Sequence, residues 1–267
     1  MLKLSVLIPT YNEDCSRLVR DLQAQLPTDA EIIVGDDSPP HNLGRSARRN
    51  ALAEEARGEW LLFIDADAEV RSRSFIANYM AACSQAPVVC GGTGNLPACP
   101  RPEARLRYDY EVRAEKRLTL QHRQAHPYDG FTTFNFLIRR DLFLSIRFDE
   151  SLKHYGHEDT QFGLELKKRG VPVLHIDNKL THLGIEDAAD YLRKMETSLR
   201  TLASMSVEQK QNVRISKLAL RLEHMHLLGP VRFVYSVSKS LLRKNLLGHR
   251  PSQVLFAFYK LGYYICL

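Results

Sequence analysis

The sequence predicts an α/β fold, a doubly wound and mostly parallel sheet followed by a C-terminal helical extension. Three observations carry this. Short, continuously apolar runs recur through the first third, as strands buried on both faces require. Each run is followed by a stretch with helical spacing and a short link, the order of a crossover-connected parallel sheet. Beyond Asp187 only helical patterning remains.

Leu4 to Pro9 is the first apolar run and reads as a buried strand. With one basic residue and Pro9 inside it, this N-terminus does not read as a signal peptide. Cys15 to Leu26 places Leu18, Leu22 and Leu26 on one helix face, and Pro27 ends it. Glu31 to Gly35 is a second strand, running into Asp36-Asp37-Ser38-Pro39-Pro40. Gly44 to Arg57 is Ala-rich and helical, closed by Gly58. Trp60 to Ile64 is a third strand, ending at Asp65-Ala66-Asp67, and Trp60 and Phe63 fit its core. Ser74 to Ser84 is helical and Val88 to Cys90 a short strand.

Periodicity fades from Gly91 to Asp129, apart from a charged helical piece over 103–121. Phe131 to Arg139 reads as a strand, His157 to Gly170 as a helix and Val171 to Ile176 as a further strand. The helical tail has breaks expected near Gly229-Pro230 and Gly248 to Pro251.

The chain has 267 residues, 44% of them hydrophobic and 25% charged, which excludes a disordered, collagen-like or coiled-coil protein. No apolar stretch approaches the ~20 residues of a membrane-spanning helix. The five cysteines, at 15, 83, 90, 99 and 266, form no CxxC pair and do not suit zinc. Reduced thiols in a cytoplasmic protein are the simplest reading. Charge is uneven. From Tyr191 to the end there are 13 Lys+Arg against 3 Asp+Glu, a balance of +10, while the preceding 190 residues balance at −4. An acidic body with a basic tail suggests a tail that meets anionic material.

Polar groups gather just after the strands: Tyr11-Asn12-Glu13, Asp36-Asp37 and Asp65-Ala66-Asp67. In open α/β sheets ligands bind outside the carboxyl ends of the strands. One Asp-x-Asp there is usually a turn or a helix cap, but three acidic clusters at equivalent places point to a ligand. Paired carboxylates suit Mg²⁺ or Mn²⁺, and such a cation suits a diphosphate. Neither GxxxxGK[ST] nor GxGxxG occurs, so metal and basic side chains must meet the phosphate charge.

SVLIPTYNE at 5–13, VGDDS at 34–38, RRNALAEEARGEWLLFIDAD at 48–67 and GHEDTQFGLELKKRG at 156–170 resemble the family-2 glycosyltransferases, over roughly residues 4 to 187. The resemblance implies a GT-A type fold and an inverting, metal-dependent transfer of a sugar from a nucleotide-sugar. It implies a catalytic domain over 1–187, with a donor-binding half (1–98) and an acceptor-binding half (99–187). Residues 188–267 then form a basic helical region.

By the same resemblance Pro9, Thr10, Tyr11 and Glu13 line the nucleotide pocket. Asp37 bonds the uracil edge, which favours a UDP-sugar, while Asp36 reads as a turn residue. Arg45, Arg49 and Asn50 either approach the nucleotide or lie on a solvated helix face. Asp67 is the ligand of a Mn²⁺ or Mg²⁺ cofactor, with Asp65 and Ala66 beside it at the ribose or in support of the metal, and His182 a second ligand. Asp159, paired with Glu158, is the general base that deprotonates the acceptor hydroxyl; capping of a helix start is the plainer explanation of these two acids. The Gln-x-x-Arg-Trp motif of processive synthases is absent, which favours addition of a single hexose or N-acetylhexosamine.

From Val231 onward apolar and aromatic residues alternate with Arg232, Lys239, Arg243, Lys244, Arg250 and Lys260. This suits a peripheral contact with the inner face of the cytoplasmic membrane, a helical cap on the sheet, or a homodimer contact. The membrane reading implies a lipid-linked saccharide acceptor from cell-envelope polysaccharide synthesis; otherwise the acceptor is a free saccharide. An inactive sugar- or membrane-binding module of the same fold would lose its acids, yet Asp37, Asp67 and Asp159 are present. A nucleotidyltransferase would need a glycine-rich phosphate loop, and no nucleic-acid recognition motif is found.

Overall fold

The computed structural model describes residues 2–39, 43–151 and 156–267, so Pro40 of the expected turn lies outside the described residues. In chain order the first half contains β1 (Leu4–Thr10), α1 (Ser16–Gln23), β2 (Ala30–Asp36), α2 (Arg45–Glu55), β3 (Trp60–Ile64), β4 (Ala68–Glu69), α3 (Phe75–Ala82), β5 (Val88–Cys90) and β6 (Thr93–Gly94). There follow α4 (Arg105–Arg117), α5 (Leu120–Ala125), β7 (Asn135–Arg139), α6 (Arg140–Ile146), α7 (Glu158–Lys168), β8 (Val173–His175) and β9 (Leu180–His182). The tail holds α8 (Ala188–Ser204), α9 (Val207–Lys210), α10 (Arg214–His224), α11 (Leu228–Leu246) and α12 (Gln253–Ile265).

Two compact units result. One comprises Met1–Leu96, Ala114–Lys153 and Glu158–Gly184; the other comprises Pro97–Arg113, His154–His157 and Ile185–Leu267.

The first unit is built on a six-stranded sheet in the order β2-β1-β3-β7-β5-β8. It is mostly parallel; β7 alone among these strands runs against its neighbours β3 and β5. Alternation explains why the runs are continuously apolar. Leu4, Val6 and Ile8 of β1 and Trp60, Leu62 and Ile64 of β3 face one cluster, which α1 and α3 close with Leu18, Leu22, Phe75 and Tyr79. Leu7, Leu61 and Phe63 face the opposite cluster, closed by Leu52 and Ala53 of α2, Phe143 of α6 and Phe162 and Leu166 of α7. Phe63 stacks on Phe136 of β7 at a centroid distance of 4.9 Å.

A second sheet, β4-β9-β6, escapes the sequence patterns. Its strands are two or three residues long, too short to show a period of two. The helix α6 was also not anticipated. The charged stretch 103–121 divides into α4 and α5, with Thr119 capping α5 by accepting the N–H of His122.

The second unit packs Leu106, Tyr191, Leu192, Tyr235, Leu242, Leu246, Phe256 and Tyr259 into one cluster. α11 and α12 approach closely at Gly262, where a Cβ would fall 2.3 Å from the Tyr235 ring. Gly229 and Pro230, expected at a break, stand inside the first turn of α11, where a proline lacks nothing the helix needs. Among the described residues no helix is long and apolar enough to cross a membrane.

Candidate active site

Topology gathers the acidic residues of the first unit at one rim of its sheet. Asp65 and Asp67 leave the carboxyl end of β3. Because β7 is antiparallel, its start lies beside that end: Ile64 pairs with Asn135, and the Asp65 N–H donates to the Phe134 carbonyl at 3.0 Å. Thr133, just upstream, then reaches Asp159 in the first turn of α7. Its hydroxyl donates to Asp159 Oδ1 at 2.9 Å, and its N–H lies 3.4 Å from Oδ2. Nothing in the sequence marked Thr133, which reads as an ordinary strand residue.

Arg49 of α2 is almost wholly buried and forms an ion pair with Asp65 Oδ1 at 2.5 Å. Burial pushes the Asp65 carboxyl up, Arg49 opposes that, and Asp67 adds to it. The Asp159 carboxyl is pushed up to about 6, first by burial and then by Glu158, with Arg49 and the Thr133 hydroxyl opposing. Arg49 itself loses by desolvation, but Asp65, Asp159 and Glu158 outweigh this and hold it firmly cationic. One buried guanidinium therefore serves several carboxylates. Arg45, half exposed, stands 3.9 Å from Glu158 Oε1, a loose pair.

The short β4–β9 ladder sets a second contact. Ala68 pairs with His182, and the Leu183 N–H donates to the Asp67 carbonyl at 2.8 Å. His182 Nε2 then lies 2.9 Å from Asp67 Oδ2, with the ring edge-on to Phe134. Gly184 completes the cradle, for a Cβ there would sit 2.1 Å from Asp67 Oδ2. A carboxylate and an imidazole side by side suit Mn²⁺ or Mg²⁺ if oxygens of a bound diphosphate complete the shell. Among the described residues no three metal-capable side chains converge, so this chain alone offers a partial set.

The remaining predicted residues divide. Pro9 is half-buried in β1, opposite Gly35 of β2. Thr10 is buried, and its carbonyl accepts the Asp37 N–H at 2.9 Å. Tyr11 is 54% exposed at the end of β1, and Glu13 is exposed beside it. Asp36 accepts the Ser38 N–H at 3.0 Å and the Ser38 hydroxyl at 2.6 Å, a local turn. The buried Asp37 accepts the N–H groups of Leu43 and Gly44 at 2.6 and 2.8 Å, with Arg48 3.6 Å away. It thereby ties down the entry to α2. Asn50 is buried and ties down the chain at 148–150: its amide donates to the Phe148 carbonyl and to Glu150 and accepts the Phe148 N–H. Ala66 packs into the apolar core between the two aspartates.

The fold is shared with solved structures. A mannosyltransferase from Pyrobaculum calidifontis, solved with GDP-Man and Mn²⁺, is 15% identical over 99% of this chain and 85% of its own, with a TM-score of 0.59. Glucosyl-3-phosphoglycerate synthase from Mycobacterium tuberculosis, solved with Mn²⁺, UDP and glucosyl-3-phosphoglycerate, is 14% identical over 76% of this chain and 79% of its own, with a TM-score of 0.52. S. aureus TarS 1-349, solved with UDP-GlcNAc, is 16% identical over 98% of this chain and 90% of its own, with a TM-score of 0.50. The chain spans 41% of a longer S. aureus TarS chain. No curated protein matches it in sequence. The family model described as Glycosyl transferase family 2 matches residues 38–147, a span that contains Asp37's loop partners, α2, β3 and both aspartates after it. The solved structures give the chain a GT-A fold, and the segment 38–147 within it is similar to the family-2 glycosyltransferases.

Proposed function

We propose that this chain moves one sugar, with inversion, from a nucleotide-sugar to a hydroxyl of a saccharide or lipid-linked saccharide, with a UDP-sugar as the favoured donor. The observation that carries the reading is the rim itself, where Asp65 after β3 and Asp159 of α7, held by Thr133, share the charge of Arg49, and Asp67 stands beside His182 of β9. A turn or a cap explains any one of these carboxylates but not their convergence around a buried cation.

Tyr11 offers an exposed ring for the base, and Thr10, Glu13 and Asp37 border it. Each Asp37 oxygen keeps a second lone pair after accepting a backbone N–H, so it still has capacity for a uracil N–H. Asp65, held through Oδ1 by Arg49, keeps its other oxygen for the ribose or for support of the metal. Asp67 and His182 would hold Mn²⁺ or Mg²⁺, which when bound neutralises the diphosphate charge that grows as the sugar departs.

Asp159 supplies the proton chemistry. Its carboxylate takes the proton of the acceptor hydroxyl as that oxygen bonds to the anomeric carbon. The bond from this carbon to the diphosphate oxygen breaks, and its electron pair leaves with the nucleoside diphosphate. Attack comes from the face opposite the leaving group, hence inversion. A carboxyl raised toward 6 is a stronger base than an ordinary aspartate and is still ionised at neutral pH. Thr133 fixes its orientation.

The deciding experiment is a panel of UDP-, GDP- and dTDP-sugars with Mn²⁺, Mg²⁺ or chelator, reading the released nucleoside diphosphate. Metal-dependent release from a UDP-sugar supports the reading. Absence of release from every donor would remove it.

A further inference from the structure

We propose that the outward face of α11 docks on an anionic lipid surface. Among the described residues, twelve of the sixteen exposed large hydrophobic side chains lie from Val207 onward. α11 concentrates them. Phe233, Val237 and Leu241 recur every four residues and so share one face, and they are 68%, 65% and 71% exposed, with Val234 beside them at 49%. Tyr235, Leu242 and Leu246 point the other way, into the core of the second unit. The helix is thus apolar on two sides, and its own unit covers only one. Packing inside the fold explains the inner stripe and leaves the outer one without a structural reason.

Charge decides the occupant. α11 contains no acidic residue, and the exposed Lys244 lies on the same helix face as Phe233, Val237 and Leu241. From Arg214 to the end there are nine Lys+Arg, and Glu223 is the sole acid. A second copy of this chain would bring the same positive charge against itself. A lipid surface rich in phosphates offers both an apolar layer for Phe233, Val237 and Leu241 and negative charge for Lys244 beside them. The geometry is that of a helix lying in the plane of the surface, not crossing it.

The test uses the full chain, sedimented with vesicles of phosphatidylglycerol and phosphatidylcholine, and with phosphatidylcholine alone. Binding is expected on the anionic vesicles, weakened by salt and by omission of phosphatidylglycerol. Leu241→Asp and Val237→Asp are expected to lower it roughly tenfold or more, and Lys244→Glu to lower it as well. Both apolar positions are exposed, so an unchanged thermal midpoint and unchanged nucleotide release without lipid confirm that the variants are folded. Absence of binding to the anionic vesicles, or binding that Leu241→Asp leaves intact, overturns the proposal. So does a concentration-dependent dimer that Leu241→Asp dissolves, which would give the face to a second copy. Vesicle binding is read without donor or acceptor, so its failure leaves the transfer reading standing, and the converse holds.

Discussion

His182 Nε2 lies 2.9 Å from Asp67 Oδ2 although 115 residues separate them in sequence. The contact is built by a ladder of two residue pairs, Ala68 with His182 and Glu69 with Thr181, so a very small piece of sheet aligns the two side chains. Asp67→Ala is expected to abolish the Mn²⁺-dependent part of UDP affinity, and His182→Ala to weaken it. Calorimetric titration of UDP with and without metal checks this; equal affinity in both conditions for the parent protein would contradict the pairing as a metal site.

Gly184 gives a sharper version of the same test. Gly184→Ala places a methyl group 2.1 Å from Asp67 Oδ2, so the carboxylate must turn away. Metal-dependent UDP binding is expected to fall while binding without metal stays level. A variant with parental metal dependence would show that the Asp67 orientation seen here is unimportant.

Asp159→Asn keeps the shape and the Thr133 contact but removes the base. Turnover is expected to fall by about 10²–10⁴-fold with UDP affinity unchanged. Full turnover would take Asp159 out of the proton-transfer role.

The same carboxyl sets a pH limb. Its pKa is raised to about 6, and the working form is the ionised one, so transfer is expected to rise through pH 6 and level off above it. The hydroxyl of Thr133 stabilises the ionised form, so Thr133→Val is expected to move that limb to higher pH. A limb that stays put in this variant, with the fold intact, would mean that another group controls it.

Packing yields a stability prediction. Phe136 is fully buried between the rings of Phe63 and Phe131, and Phe136→Ala is expected to cost about 3–5 kcal/mol. Chemical denaturation measures it; a loss below about 1 kcal/mol would mean that the cluster collapses onto the cavity.

Much of this molecule is legible in the linear sequence because its central strands are buried on both faces. Val6-Leu7-Ile8 and Leu61-Leu62-Phe63 announce themselves as unbroken apolar runs, and the aspartates that follow are then placed by topology alone. The three-stranded sheet is silent, since Ala68-Glu69 and Thr93-Gly94 are too brief for any period to register. Thr133 was hidden because its role depends on β7 running backwards, which no local pattern encodes. Asn50 sits among helix residues with a plain polar identity; only the fold reveals that it holds the Phe148 backbone.

The reversed direction of β7 has an evolutionary consequence. The chain just after β3 leaves the rim, whereas residues 126–134 arrive there, so the two aspartates after β3 and Thr133 are supplied by separate loops. Within the 126–134 segment Phe131 packs on Phe136 in the core, so His126 and Asp129 are its exposed positions open to change. Asp67 and His182 are aligned by β4 and β9, while the Asp65 N–H and the His182 ring also rest on Phe134 of that segment.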